Sequence, residues 1–192
     1  AGIDLGTSSV KVLIMDPEGK SLAVSHRDYD VTTDKIGYAE QDPEAWWNRT
    51  VETIREALEK SGIRPEELAG IGLSGQMHGV VALDRNKRPV IPAIIWMDQR
   101  SAVETGEIKS LAAELLDTEL LNQPGAGMMI CSLLWLKKNQ PGPYDKICYV
   151  MLPKDYIRYR LTGTIGSEYS DAAGTLALSV KNRRWCMELI RR

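Results

Sequence analysis

The stretch Asp4-Leu5-Gly6-Thr7-Ser8-Ser9 sets a carboxylate near the end of an apolar segment, just ahead of a glycine and three hydroxyl side chains. Backbone N–H groups and hydroxyls in such a turn can face a polyphosphate. A single aspartate at a strand end suits a magnesium ion, which takes one or two protein carboxylates and keeps several waters. The stretch is not a P-loop, because no Gly-Lys-Ser or Gly-Lys-Thr follows. It is not a dinucleotide fingerprint either, because residues 10–15 read as a strand rather than a helix. Taken alone, the same six residues also make an ordinary polar hairpin turn, and context must choose.

A second concentration of chemistry lies in Ser74-Gly75-Gln76-Met77-His78-Gly79. His78 is one of two histidines, the other being His26, and it stands in a glycine-flanked loop at a strand end, where ligand sites concentrate. A neutral imidazole there can donate to or accept from a hydroxyl, so binding and positioning are the expected role. Met77, by its chemistry alone, reads equally as apolar filler. Asp98 reads either as a site residue or as the N-cap of the helix that follows, and Asp171 either as a site residue or as a turn acid. Trp46 and Trp47 offer aromatic faces, yet adjacent helix positions point about 100° apart, so at least one packs inside and the core reading is preferred. Arg85, Lys87 and Arg88 form a solvated hairpin tip. Arg183-Arg184 and Arg191-Arg192 are surface charge without the aromatic-interleaved basic face of a nucleic-acid site.

These loops need elements to hold them. Residues 1–5 and 10–15 read as a hairpin, Asp16-Pro17-Glu18-Gly19 as a turn and residues 22–31 as a third strand. Asp42 caps a helix with Pro43 in its first turn and Lys60 and Gly62 at its end, and Trp46, Trp47, Val51, Ile54 and Leu58 recur inside it at helical spacing. Strands follow over 68–73, 80–84, 90–96 and 146–152, and helices over 101–116, 132–138 and 154–161. Strands first and helices interleaved later predict an α/β fold with a mixed sheet and helices on its faces.

With 192 residues and 43% hydrophobic composition the chain can bury one core. A net charge of −2 gives no reason to expect nucleic acid, and no run approaches the length of a membrane span. Cys131, Cys148 and Cys186 lack paired spacing and read as reduced thiols, which predicts a cytoplasmic protein. The start at Ala1, with strand pattern so soon after it, predicts that a natural first strand begins upstream.

The opening motif resembles the first phosphate motif shared by actin, heat-shock chaperone ATPases and sugar kinases. Five further stretches resemble the FGGY carbohydrate kinases in the same order. They are Glu40-Gln41-Asp42-Pro43-Glu44-Ala45-Trp46-Trp47, then Gly75-Gln76-Met77-His78-Gly79, then Pro92-Ala93-Ile94-Ile95-Trp96-Met97-Asp98 with Arg100. Leu152-Pro153-Lys154-Asp155-Tyr156 and Ser170-Asp171-Ala172-Ala173-Gly174-Thr175 complete the series. Within the family, Gln76-Met77-His78-Gly79 together with the last stretch is most similar to the xylulokinase branch, whereas glycerol kinases carry Arg-Glu in place of Met77-His78.

The resemblance implies a ribonuclease H-like fold and two domains flanking an active-site cleft, with ATP entering largely from the second. Residues 1–192 would be the N-terminal domain, incomplete, with the second domain absent. It implies ATP-dependent phosphorylation of a ketopentose, D-xylulose to D-xylulose 5-phosphate, with ATP and Mg2+ as cofactors, the sugar and ATP as partners, no membrane or nucleic acid, and a homodimer left open. Asp4 would place phosphate and metal, Gly6, Thr7 and Ser8 would bind the nucleotide, and Gln76, Met77, His78, Asp98 and Asp171 would surround the sugar. The family's catalytic base is an aspartate in a downstream Gly-Asp block. No such block follows Asp171, so this stretch alone is expected to be inactive. A non-catalytic nucleotide- or sugar-binding module, or a kinase for ribulose, gluconate or glycerol, is the alternative.

Overall fold

Alternation builds the first layer. Ile3 and Leu5, then Val10, Val12 and Ile14, then Ala23 and Ser25 are buried at a period of two. In the computed structural model, which describes residues 1–191, they lie on β1 (Gly2–Leu5), β2 (Ser9–Met15) and β3 (Ser21–Asp28), paired antiparallel in chain order as expected. The third strand ends at Asp28 rather than at residue 31, because the Tyr29 N–H turns aside to donate to Ser8 O at 3.0 Å.

After a two-residue strand β4 (Glu40–Gln41) comes the expected long helix α1 (Pro43–Ser61). Asp42 Oδ1 accepts from Glu44 N at 2.9 Å, a cap that stabilises such a helix by about 1 kcal/mol, and Gly62 closes the far end in left-handed conformation. Of the predicted apolar stripe Trp46 is fully buried, Trp47, Ile54 and Leu58 pack partly buried against the core and Val51 is half-buried, while Thr50, Thr53 and Ala57 extend the buried face. Thr50 and Thr53 donate their hydroxyls to the carbonyls of Trp46 and Arg49, at 2.7 and 2.6 Å, so polar groups satisfied within the helix leave a small, methyl-lined face toward the sheet. Trp46 is fully buried and Trp47 partly so, as the core reading anticipated.

Helix α1 is the crossover that lets β5 (Gly72–Gly75) lie parallel to β1, giving a mixed sheet of order β3-β2-β1-β5. The strand predicted over 68–73 begins four residues late, because Pro65–Glu67 form a 3-10 turn closed by Glu67 Oε2 on Arg64 N at 2.9 Å. Next, β6 (Val81–Leu83) leads through a polar tip, where Asp84 Oδ1 accepts from Asn86 N and Arg88 N, to β7 (Ala93–Ile94), which pairs with β4.

The single helix predicted over 101–116 is divided into α2 (Ala102–Leu111), α3 (Ala113–Leu115) and a π-helical turn (Leu116–Leu120), which ends at Leu121 with φ 49°. That change of pitch brings Leu115, Leu116 and Leu120 together in one apolar cluster with Ile108 and Cys131. The remainder is α4 (Met129–Asn139), α5 (Pro141–Tyr144), β8 (Tyr149–Met151) paired with β6, α6 (Pro153–Thr162), α7 (Tyr169–Ala173), the small ribbon β9 (Leu178–Ser179) and β10 (Arg184–Trp185), and α8 (Met187–Arg191). Helix α6 packs against α1 and β5, tied by Tyr156 Oη donating to Glu44 Oε1 at 2.6 Å. No helix among the described residues is long and apolar enough to cross a membrane.

Candidate functional site

Ile3 and Leu5 point into the core, so Asp4 between them projects from the opposite face of the sheet and is exposed. Its register partners are Lys11 on β2 and Ser74 on β5. The turn that follows is held from several sides. Gly6 N donates to Ser9 O at 2.9 Å, Tyr29 Oη donates to Gly6 O at 2.5 Å, Gln41 Nε2 donates to Thr7 O at 2.7 Å, and Trp96 Nε1 donates to Thr7 Oγ1 at 2.9 Å. Gly6 therefore spends its N–H on closing the hairpin, and the backbone donors of the turn left without a partner among the described residues are the N–H groups of Thr7 and Ser8. Burial, reinforced by the Asp4 charge, pushes the Tyr29 phenol well above its ordinary range, so it stays a neutral donor around neutral pH.

The described residues contain no group of three or more His, Cys, Asp or Glu that could hold a metal ion. One exposed carboxylate beside a turn with two free backbone N–H groups nevertheless fits magnesium, which takes one or two protein carboxylates and keeps several waters. Asp4 would be the residue to hold it.

The second loop leaves the end of β5, the strand parallel to β1, so both loops emerge at the carboxyl ends of neighbouring parallel strands, where open α/β sheets place their ligands. Met77 is 54% exposed, which removes its reading as core filler. His78 adopts φ 56° and Gly79 φ 75°, two left-handed residues in succession. A side chain at 79 would stand 2.6 Å from Ile94 O, and one at 127, where Gly127 has φ 80°, would stand 2.4 Å from Trp96 O. Glycine at both positions lets the loop pack down, with Gly79 N donating to Gly127 O at 2.9 Å. His78 Nδ1 lies 3.0 Å from Gly174 O, and a carbonyl only accepts, so Nδ1 carries the proton. In the neutral ring Nε2 is then the acceptor left for a ligand hydroxyl.

The remaining predicted residues divide. Gln76 is buried, and its Nε2 donates to Gln41 Oε1 at 2.9 Å. Asp98 is fully buried and does not cap α2, whose N-cap is Ser101. Its carboxylate instead accepts from Ala39 N at 2.7 Å, from Arg100 N at 2.9 Å and from the Arg100 guanidinium, which also pairs with Glu40 at 2.7 Å. Burial opposes the Arg100 charge, but Asp98 and Glu40 outweigh it and raise its pKa. Asp98 thus organises the segment around β4 through groups already paired.

Asp171 sits on α7 and meets Lys154 Nζ at 3.2 Å, and Lys154 also reaches Glu168 Oε1 at 2.7 Å. Glu168 caps α7 as well, accepting from Ser170 N and Asp171 N. The Lys154 hydrogen bond, with help from these N–H donors, holds the Glu168 carboxyl at about 2. Because the folded pKa lies below the ordinary carboxylate value of about 4.3, the stabilisation from this clasp is complete above pH 5 and is lost as pH falls toward 2. A carboxyl carbon titration of Glu168 followed by NMR is expected to show a midpoint well under 3.5. A midpoint near 4.3 would mean that the clasp is open in solution.

Three contributors escaped the sequence reading of the site: Gln41, Trp96 and Lys154. Each stood inside a recognisable stretch, but only the pairing of β4 with β7 and the approach of α6 to β5 carry them to the loops. Neither large cavity includes Asp4 or His78. The larger, about 690 Å³, is an apolar trough between α2, α4 and α8, and the other, about 530 Å³, lies beside Lys154 and Arg158.

A mixed sheet whose hairpin turn and parallel neighbour strand present a carboxylate, a hydroxyl turn and a histidine loop together is the arrangement of the actin-like ATPase and sugar-kinase fold. Residues 1–191 match the FGGY family of carbohydrate kinases, N-terminal domain, and the chain belongs to that family. It is 40% identical over 192 residues to the xylulose kinase of Staphylococcus xylosus, covering 100% of this chain and 39% of that protein. The crystal structure of a xyloylose kinase from Brucella ovis superposes with a TM-score of 0.94 at 37% identity, over 99% of this chain and 40% of that one. A gluconate kinase from Lactobacillus acidophilus superposes with a TM-score of 0.91 at 28% identity, over 99% of this chain and 38% of that one. The chain therefore spans about two-fifths of the relatives it matches.

Proposed function

We propose that this chain forms the half of an ATP-dependent sugar kinase that orients a ketopentose and the phosphates of the nucleotide, with D-xylulose as the acceptor and D-xylulose 5-phosphate as the product. The observation that carries the reading is the parallel pairing of β1 with β5, which sets the Asp4–Ser8 turn and the Gln76–His78 loop side by side at one end of the sheet. Phosphoryl transfer asks a protein for alignment and charge stabilisation more than for covalent chemistry. Thr7 and Ser8 N–H groups steady phosphate oxygens, His78 Nε2 accepts a sugar hydroxyl, and Asp4 holds magnesium, which would neutralise charge developing on the phosphates. The base that takes the proton of the acceptor hydroxyl comes from the family's downstream Gly-Asp block, outside residues 1–192, and the adenine pocket from the second domain.

The choice of D-xylulose rests on Gln76-Met77-His78-Gly79 and on the names of the similar proteins, while the gluconate kinase neighbour marks the nearest competing substrate. In an ATP-consumption assay of the full-length protein, D-xylulose should lead a panel that includes D-ribulose, gluconate and glycerol. His78→Ala should raise its KM about tenfold, the worth of one hydrogen bond. Gluconate or glycerol at the head of the panel refutes the substrate and leaves the kinase. No sugar-dependent ATP use at all favours a non-catalytic binding module.

A further inference from the structure

The two loops are joined by a pair of glutamines whose amides can be oriented in only one way. Gln41, 2% exposed, faces two backbone carbonyls: its Nε2 donates to Thr7 O at 2.7 Å and to Asp30 O at 3.2 Å. Carbonyls cannot donate, so the nitrogen of Gln41 must lie on that side and its Oε1 must face Gln76. Gln76 is then obliged to present its own nitrogen, and Nε2 donates to Gln41 Oε1 at 2.9 Å. What remains is Gln76 Oε1, buried and without a hydrogen-bond partner. With no partner on that oxygen, the orientation of the Gln76 amide, two residues before His78, rests on Gln41.

We propose that Gln41 is a positioning residue which fixes the Gln76 amide at the root of the sugar loop and ties that loop to the phosphate turn through Thr7 O. This rests on the reading of residues 76–78 as the sugar loop. Gln41 touches neither substrate. It transmits orientation in both directions: a turn displaced at Thr7 releases the Gln41 amide, and a released Gln41 lets Gln76 rotate.

A double-mutant cycle in the full-length protein tests this. Gln41→Leu and Gln76→Leu should each lower kcat/KM for D-xylulose about tenfold, and the double variant should be no more than about twofold below the worse single one, because both remove one coupled device. Gln41→Leu should also raise KM for ATP, since Thr7 O loses its donor. Gln41→Glu keeps the shape but turns oxygens toward both carbonyls, and it should be as damaging as leucine. Losses that multiply, or a near-wild-type Gln41→Glu, overturn the relay and leave Gln41 a packing residue. If another sugar leads the panel, the cycle is run with that sugar. Side-chain amide exchange in protein labelled with 15N-glutamine separates the relay from the function. Protection of the Gln76 amide that disappears in Gln41→Leu supports the relay even in a protein that phosphorylates no sugar, and exchange unchanged by the substitution overturns it.

Discussion

Asp4→Ala in the full-length protein is expected to lower kcat for sugar phosphorylation by a hundred- to a thousandfold, on the order of the loss when a preorganised charge-stabilising group is removed. The carboxylate is exposed at the end of β1, flanked by Ile3 and Leu5 that stay in the core, and no hydrogen bond among the described residues depends on it. Its removal should therefore leave the unfolding transition close to that of the wild type, while the magnesium concentration needed for half-maximal rate rises. Asp4→Asn keeps the volume and loses the charge, and should be nearly as slow. Wild-type turnover in either folded variant would remove Asp4 from the mechanism.

Asp98→Ala is expected to act in the opposite manner, through stability. The substitution strands the Arg100 guanidinium, whose side chain is 2% exposed, with Glu40 alone and leaves the Ala39 N–H unpaired. Breaking one side of a buried pair costs about 3–5 kcal/mol. Urea unfolding followed by fluorescence should show that loss, and Asp98→Asn, which can still accept from Ala39 N, should recover part of it. Arg100 also lies 3.7 Å from the Tyr38 ring centroid, so the release should disturb the segment that carries Glu40 and Gln41. A variant with unchanged stability and a raised KM for sugar would instead place Asp98 against the substrate.

These two aspartates show where reading the sequence succeeds and where it stops. Asp4 was legible because its setting is local: a period-two strand fixes which face it takes, and the glycine and hydroxyls after it fix the turn. Asp98 was not, because the partners that engage its carboxylate include Ala39, fifty-nine positions away, and the sequence offers an equally good local use for it as a helix cap. Helix α1 was legible from its caps and most of its apolar stripe, yet the full extent of its buried face was not. Burial took in most of the apolar stripe, through Trp46, Trp47, Ile54 and Leu58, and extended it onto the small face of Thr50 and Thr53 that fits against the sheet.

The amino-acid sequence by itself determined the family, the order of the first strands, the caps of α1 and the positions of the two candidate loops, because periodicity, turn residues and short motifs act over a few neighbours. The tertiary structure decided the rest. Pairing of β1 with β5 across sixty-odd residues set the loops side by side, and pairing of β4 with β7 brought Gln41 and Trp96 to Thr7. Burial then determined which polar groups are already spoken for, as with Asp98, and which stay unpaired, as with Gln76 Oε1. Non-local pairing and desolvation depend on residues remote in the chain, and no local pattern encodes them.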